Sequence, residues 1–201
     1  MTDSLNQWFA DNHTARNSLL IFCSMLMDIM TIMSLYKFAK YTNSWRFVIA
    51  SASFYGLRSL TTTFFNMEMP AGYLWDYPGF PSLTVPYGKT SDFFYSGHVG
   101  ACVIQFLEFR SGGWKYWSMF ALFSMIAQMF LMVVLRSHYS IDLLAAVIFG
   151  HYFWIQAEKY SYLIDWCIFG IPLSKRIDQN LESMSNVPCT ENGTTLGELK
   201  N

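Results

Sequence analysis

Residues 115–135, KYWSMFALFSMIAQMFLMVVL, carry a single charged side chain, Lys115, at their first position. A helix needs roughly 20 mostly apolar residues to cross the hydrocarbon core of a bilayer, and this stretch supplies them. Four further stretches of similar length and composition lie on either side of it: 18–37, 45–65, 93–109 and 139–157. The sequence therefore predicts an all-α fold, a polytopic membrane helix bundle.

The composition of the whole chain supports this fold class. Hydrophobic residues make up 53% of the sequence and charged residues only 13%, whereas a soluble domain carries about a quarter charged residues. A formal net charge of −1 leaves no basic surface for nucleic acid. The four cysteines show no CxxC spacing, which argues against a disulfide framework or a zinc knuckle.

A sixth apolar segment, 160–173, is short and contains Asp165 and Pro172. These features favour an interfacial helix over a further span, so we expect five to six membrane helices in all. The chain then divides into three regions: a polar N-terminal segment at 1–17, a membrane bundle at 18–173 and a polar tail at 174–201.

The loops between the five predicted spans fall on two sides of the membrane. One side, called side B, holds KFAKYTNSWR, RSGGWK and EKY, whose cations are Lys37, Lys40, Arg46, Arg110, Lys115 and Lys159. The opposite side, called side A, holds the long loop 66–92 and the junction 136–138. Because loops rich in lysine and arginine prefer the cytoplasm, we expect side A to face the lumen or the exterior. Glu108, near side B, is expected to reach towards the interface.

Two histidines stand at the side A ends of predicted spans. His98 opens the third span within FFYSGHVG, and His138 precedes the fifth within RSHYSID. Two crossings separate them, so both lie at the same membrane face. His138 and Asp142 are four residues apart, which places them on one helix face. The carboxylate can therefore hold the imidazole Nδ1–H and leave Nε2 more basic, as a nucleophilic or general-base histidine requires.

Cations accompany these groups: Arg58 lies in the later half of the second span, and Arg136 and Lys89 lie at or near side A. Imidazoles, a carboxylate and cations at one level suit phosphoryl transfer, which depends mainly on positioning and charge stabilisation. A structural ion pair between Arg58 and Asp28 is an alternative.

The histidines also have other interpretations. Each could be a solvated interfacial residue, and the pair of His138 and Asp142 could be a hydrogen bond without chemistry. His98, His138 and Asp142 could bind a metal ion, although no fourth ligand is evident. His151, inside the fifth span, is expected to be a packed core residue.

The two motifs together resemble those of a known superfamily. Ser96–Gly97–His98 resembles the SGH motif of the type 2 phosphatidic acid phosphatases, and HYSID resembles the end of their final motif. The wider forms, DFFYSGHV and RSHYSIDLL, are similar to the branch that contains the sphingomyelin synthases and the plant phosphatidylcholine:diacylglycerol cholinephosphotransferases. RSLT at 58–61 and Pro70 resemble an earlier segment of that branch. The resemblance covers roughly residues 55–155.

Two departures favour the transferase branch over the phosphatases. Met132 stands where those phosphatases have an arginine, and Tyr95 stands where they often have proline. The resemblance implies that His138 attacks the phosphorus, that Asp142 orients it, and that His98 protonates the leaving oxygen. It implies no metal and no other cofactor. The substrate-binding set that it implies is Arg58, Arg136, Ser96, Gly97, Tyr95 and Tyr139.

Aromatic residues in or beside the side A loop bear on the choice of head group. They are Tyr73, Trp75, Tyr77, Tyr87, Phe93, Phe94, Tyr95 and Tyr139. Aromatic faces attract quaternary ammonium groups, which favours a phosphocholine donor. Aromatic residues also line most membrane interfaces, so simple anchoring is the alternative.

We therefore expect an integral membrane enzyme that moves phosphocholine from a phospholipid donor to a neutral lipid alcohol, diacylglycerol or ceramide, through a phosphohistidine. A lipid phosphate phosphatase and a non-catalytic lipid-binding membrane protein are the alternatives. We place the enzyme in an endomembrane, the endoplasmic reticulum or Golgi, with its active site on the lumenal face. The sequence does not fix the oligomeric state.

Overall fold

The computed structural model describes residues 2–42, 44–64, 68–87, 94–168 and 170. These residues form six α-helices and no strands, which confirms the all-α prediction for the described part of the chain. The helices are α1 (Thr2–Asp11), α2 (His13–Tyr41), α3 (Arg46–Phe64), α4 (Gly97–Ser111), α5 (Lys115–Val134) and α6 (Ser140–Cys167). The predicted polar tail, 174–201, lies outside the described residues, as do Lys89 and Phe93.

Three helices are long and apolar enough to cross a membrane: α2, α5 and α6. On α5 the exposed side chains Phe123, Ile126 and Phe130 follow helical spacing. A continuous apolar face of this kind suits hydrocarbon rather than water. The chain is thus an integral membrane protein. The count of five to six spans is not confirmed, since α4 has only 15 residues and α3 is not among the three.

The segment 160–173, predicted as a separate interfacial helix, continues α6 over its described part. α6 runs without a break to Cys167. The buried carboxylate of Asp165 accepts a hydrogen bond from the backbone N–H of Trp45 at 2.9 Å. Backbone N–H groups at a helix start have no partner within the helix, so Asp165 acts as a hydrogen-bond acceptor at the beginning of α3. The described part of the predicted polar N-terminal segment, residues 2–17, is largely helical as well, because it contains α1 and the first turn of α2.

α4 is the central helix and packs against α2, α3, α5 and α6. Two glycines allow its neighbours to come close. A β-carbon at Gly100 would lie 1.9 Å from the ring of Phe54, and one at Gly150 would lie 3.1 Å from the carbonyl oxygen of Gly100. Small residues permit this kind of close approach between membrane helices. As a result, the residues at the start of α4 lie inside the protein.

At side B a buried ionic network joins four helices. Glu108, 4% exposed, accepts hydrogen bonds from Lys37 Nζ at 2.8 Å and Arg46 Nε at 2.9 Å. Arg46 also pairs with Glu158 of α6. The expectation that Glu108 reaches towards the interface was wrong, because the two cations hold it in the interior. Lys37 and Arg46 do share one side, as predicted.

The start of α4 is recessed below the outer end of α5. Ser118 of α5 donates a hydrogen bond to the carbonyl oxygen of Phe106 at 3.5 Å, which sets the register of this antiparallel pair. From that contact α5 continues up to Val134, but α4 reaches only to Gly97. At 1.5 Å of rise per residue, the start of α4 lies roughly 10 Å short of the end of α5.

Candidate active site

The chain after α5 turns back and brings the start of α6 beside the start of α4. Arg136 adopts a left-handed conformation with φ 51°, which is uncommon for residues other than glycine. The backbone N–H of Ser137 donates to the carbonyl of Met132 at 3.1 Å. Ser96, just before α4, donates its N–H to the carbonyl of Asp142 at 3.3 Å. These contacts place His138 next to the first turn of α4.

His138 and Asp142 make the contact that their spacing predicts. His138 Nδ1 lies 3.4 Å from Asp142 Oδ2, and the two side chains are only 9% and 3% exposed. The same oxygen accepts the backbone N–H of Tyr139 at 3.1 Å, so the carboxylate is held in place at the beginning of α6. A carboxylate at Nδ1 assigns the ring proton to that nitrogen and leaves the lone pair on Nε2.

His98 lies in the first turn of α4, and both of its ring nitrogens are buried without a hydrogen-bond partner among the described residues. The indole of Trp75 packs beside it, with ring centroids 5.8 Å apart. His138 and Arg58 are near enough to act on it electrostatically. A buried polar group without a partner is destabilising, so this ring indicates a place for a ligand.

The guanidinium of Arg58 lies directly over the start of α4. Its Nε donates to the carbonyl of Tyr95 at 3.1 Å. A β-carbon at Gly97 would come within 3.1 Å of Arg58 Cζ, so residue 97 must be small for the guanidinium to keep its place. The alternative ion pair is absent: Asp28 bonds instead to the backbone of Leu83 and Thr84, at 3.0 Å each.

The loop 68–87 covers this region and is fastened at several points. Asp28 holds Thr84 also through its hydroxyl, at 2.7 Å. Leu74 donates its N–H to the carbonyl of Leu135 at 3.0 Å. The loop thereby presents Tyr73 and Trp75 to the interior. Burial raises the pKa of the Tyr73 phenol, and Asp76 raises it further, so this hydroxyl stays a neutral hydrogen-bond donor.

These groups line one cavity of about 480 Å³ between α2, α3 and α4, a volume typical of small-molecule sites. Arg58, Ser137 and the two histidines form its polar end, and the walls below them are mainly apolar. Leu35 of α2 and Tyr55 of α3 line the cavity and are 53% and 43% exposed. The cavity therefore has one polar end and accessible, mainly apolar walls on α2 and α3.

Several predicted substrate-binding residues do not line the cavity. Arg136 pairs with Asp3 and donates to the carbonyl of Ala71 at 2.8 Å. Tyr95 is fully buried and donates its hydroxyl to the carbonyl of Phe54 at 2.8 Å, a packing role. Tyr139 donates to the carbonyl of Glu68 at 3.1 Å. Ser96 is buried at the start of α4. Of that set, Arg58 and Gly97 reach the cavity.

Only some of the predicted aromatic side chains line the cavity. Of the eight predicted to recognise a choline group, Tyr73 and Trp75 line the cavity, and Tyr87 packs behind Trp75 with centroids 6.1 Å apart. Tyr55 of α3 also lines the cavity. The aromatic pattern of the side A loop does not predict it, because Tyr55 lies inside a predicted span. His151 is exposed on α6 and is not the packed residue that we expected.

Among the residues that the structure describes, no three His, Cys, Asp or Glu side chains are grouped to hold a metal ion. The geometry instead defines an integral membrane protein with two histidines and an arginine at the polar end of an internal cavity. A family model described as AtPDCT1/2 matches residues 1–159, which include all of these groups. The chain belongs to this family, the phosphatidylcholine:diacylglycerol cholinephosphotransferases. No curated protein and no solved structure matches the chain.

Proposed function

We propose that this protein transfers phosphocholine from phosphatidylcholine to diacylglycerol, with His138 as nucleophile and His98 as proton donor and acceptor. The observation that carries the proposal is the pairing of two imidazoles at the polar end of a cavity of about 480 Å³. One is held at Nδ1 by Asp142, and the other is buried without a partner among the described residues. Membership of the family supports a lipid head-group transferase.

In the first step, Nε2 of His138 attacks the phosphorus of phosphatidylcholine. The new P–N bond forms as the bond between phosphorus and the diacylglycerol oxygen breaks. The anionic phosphate of the bound donor favours the protonated form of His98. His98 then gives its proton to that oxygen, so diacylglycerol leaves as a neutral alcohol. Asp142 stabilises the positive charge that forms on the His138 ring.

In the second step, the hydroxyl of another diacylglycerol attacks the phosphorus of the phosphohistidine. His98, now neutral, takes the hydroxyl proton, and the P–N bond returns its electrons to His138. At the end of the cycle His98 is protonated again and the His138 ring is free of the phosphoryl group. We place the choline group against Trp75, Tyr73 and Tyr55, whose ring faces attract a quaternary ammonium.

The test uses membranes that contain the protein and phosphatidylcholine labelled in its head group. Diacylglycerol with distinguishable acyl chains, ceramide or no acceptor is added. Label in phosphatidylcholine that carries the acceptor's acyl chains supports the proposal. Label in sphingomyelin would show ceramide as the acceptor, and free phosphocholine or phosphate would show hydrolysis. No movement of label above that in control membranes would contradict a transferase.

Arg58 is the cation that we propose for the phosphoryl oxygens, because it lines the cavity beside His98. Arg58→Gln is expected to lower the transfer rate by about 10²- to 10³-fold, the effect of removing one preorganised donor from a transition state. Arg136→Gln is the matched control, because the guanidinium of Arg136 bonds to Asp3 and Ala71 instead of lining the cavity. Its transfer rate should fall by less than about 3-fold, an effect no larger than the loss of one exposed ion pair. A reversed order of the two variants would exclude Arg58 from this role.

For topology, we infer that α3 and α4 also lie within the bilayer, with the loop 68–87 on the lumenal face of an endomembrane. The basic residues at side B support this orientation. An N-glycosylation acceptor sequence inserted after Gly79, a surface position of that loop, is expected to be glycosylated in microsomes. The same insertion in the turn at Gly112 should stay unmodified. Glycosylation at Gly112 and not at Gly79 would show that the orientation is the opposite of the one we propose.

A further inference from the structure

A second polar feature lies at the inner end of the cavity, away from the histidines. Gln105, on the cavity wall and only 4% exposed, follows His98 on α4 by two turns. Its amide nitrogen lies 3.4 Å from Oγ1 of Thr31 on α2. Its amide oxygen is buried and has no hydrogen-bond partner among the described residues. Met27, Leu35 and Phe47 make the neighbouring wall apolar.

We propose that Gln105, oriented by Thr31, is a binding subsite for the acyl ester group of a diacylglycerol moiety. This inference rests on the proposed function. In that reaction the leaving group and the acceptor are both diacylglycerols, so one subsite serves both steps. Once the head group is at His98 and His138, the esters are the remaining polar groups of the lipid. An ester group gains most binding free energy where a polar pair of side chains stands in an otherwise apolar wall.

The depth of Gln105 agrees with this assignment. Two helical turns separate it from His98, about 10 Å along α4. In a glycerolipid a few covalent bonds separate the reacting oxygen from an ester carbonyl. A hydrogen bond of about 3 Å at each end of that segment spans the remaining distance.

The chemistry of the amide also agrees. An ester carbonyl only accepts hydrogen bonds, so the amide must present its N–H groups to the cavity. Rotating the amide by half a turn does this, and its oxygen then accepts the hydroxyl of Thr31. The orphaned oxygen of Gln105 and the ester carbonyl both gain a partner in this arrangement.

The test compares diacylglycerol with dialkylglycerol of equal chain length, whose ether linkages lack the carbonyl groups. Wild-type protein is expected to prefer the diacyl acceptor by about 10-fold, the factor of one good buried hydrogen bond, mainly through KM. Gln105→Leu should reduce this preference to near unity, and Thr31→Val should give an intermediate value. Gln128→Leu is the matched control. Gln128 is equally buried, bonds to the carbonyl of Cys23 at 2.7 Å, and lies outside the cavity.

A binding measurement separates this inference from the proposed function. The rise in thermal unfolding temperature of purified protein is measured with each lipid, without any donor. Wild type and Gln128→Leu should be stabilised more by the diacyl lipid, whereas Gln105→Leu should respond equally to both. Equal stabilisation of wild type, or an unchanged preference in Gln105→Leu, would overturn the subsite. Absence of transfer with a retained diacyl preference in binding would overturn the reaction and leave the subsite standing.

Discussion

His138→Asn is expected to lower phosphocholine transfer by at least about 10³-fold, because it removes the nitrogen lone pair that receives the phosphoryl group. Asparagine can still donate a hydrogen bond to Asp142, so the first turn of α6 should remain in place. The measurement is the transfer of labelled head group from phosphatidylcholine to diacylglycerol. His151→Asn, an identical substitution at an exposed position of α6 outside the cavity, should retain wild-type activity.

The covalent intermediate provides a second readout of the same prediction. With donor labelled in the phosphate and no acceptor present, wild-type protein should acquire an acid-labile label. His138→Asn should acquire none. His98→Asn should acquire it slowly, because the leaving oxygen then lacks its proton donor. If His138→Asn carries the label and His98→Asn does not, the roles of the two histidines are the reverse of those we propose.

The part of the site that could be predicted from the sequence depends on short-range geometry. The spacing of His138 and Asp142 predicts their contact, since residues four apart share a helix face. Two membrane crossings between His98 and His138 predict that both lie at one end. The position of Arg136 could not be predicted in this way. It is only two residues from His138, but a left-handed backbone turn directs its guanidinium towards Asp3 instead of the cavity.

The limits of the fold prediction come from partners that are distant in sequence. Hydropathy identifies apolar helices, but the charged EKY segment ends the predicted span at 157, and Asp165 and Pro172 make 160–173 a separate segment. The helix α6 in fact continues to Cys167. The partner of Asp165 is the backbone N–H of Trp45, which lies in a different part of the sequence. Glu108 was misplaced for the same reason. A carboxylate near a helix end is expected at the interface. Its burial follows only from its contacts with Lys37 and Arg46, which the sequence does not show.

Those cations make Glu108→Ala the substitution with the largest expected effect on stability. Removing the carboxylate leaves Lys37 with a buried, uncompensated charge and leaves Arg46 with only the partly exposed Glu158 as a partner. Breaking a buried pair in this way costs about 3–5 kcal/mol. Three of the four helices that the network joins, α2, α3 and α4, also enclose the cavity. We expect a much lower thermal unfolding temperature in detergent and a smaller yield of folded protein in membranes.

Glu158→Ala is the matched control, because Glu158 also pairs with Arg46 but is 31% exposed. After this change Arg46 remains paired with Glu108 at 2.9 Å, so the cost should be below about 1 kcal/mol. If Glu108→Ala and Glu158→Ala unfold at the same temperature, apolar packing around Gly100 and Gly150 holds α4 in place, and the ionic network does not.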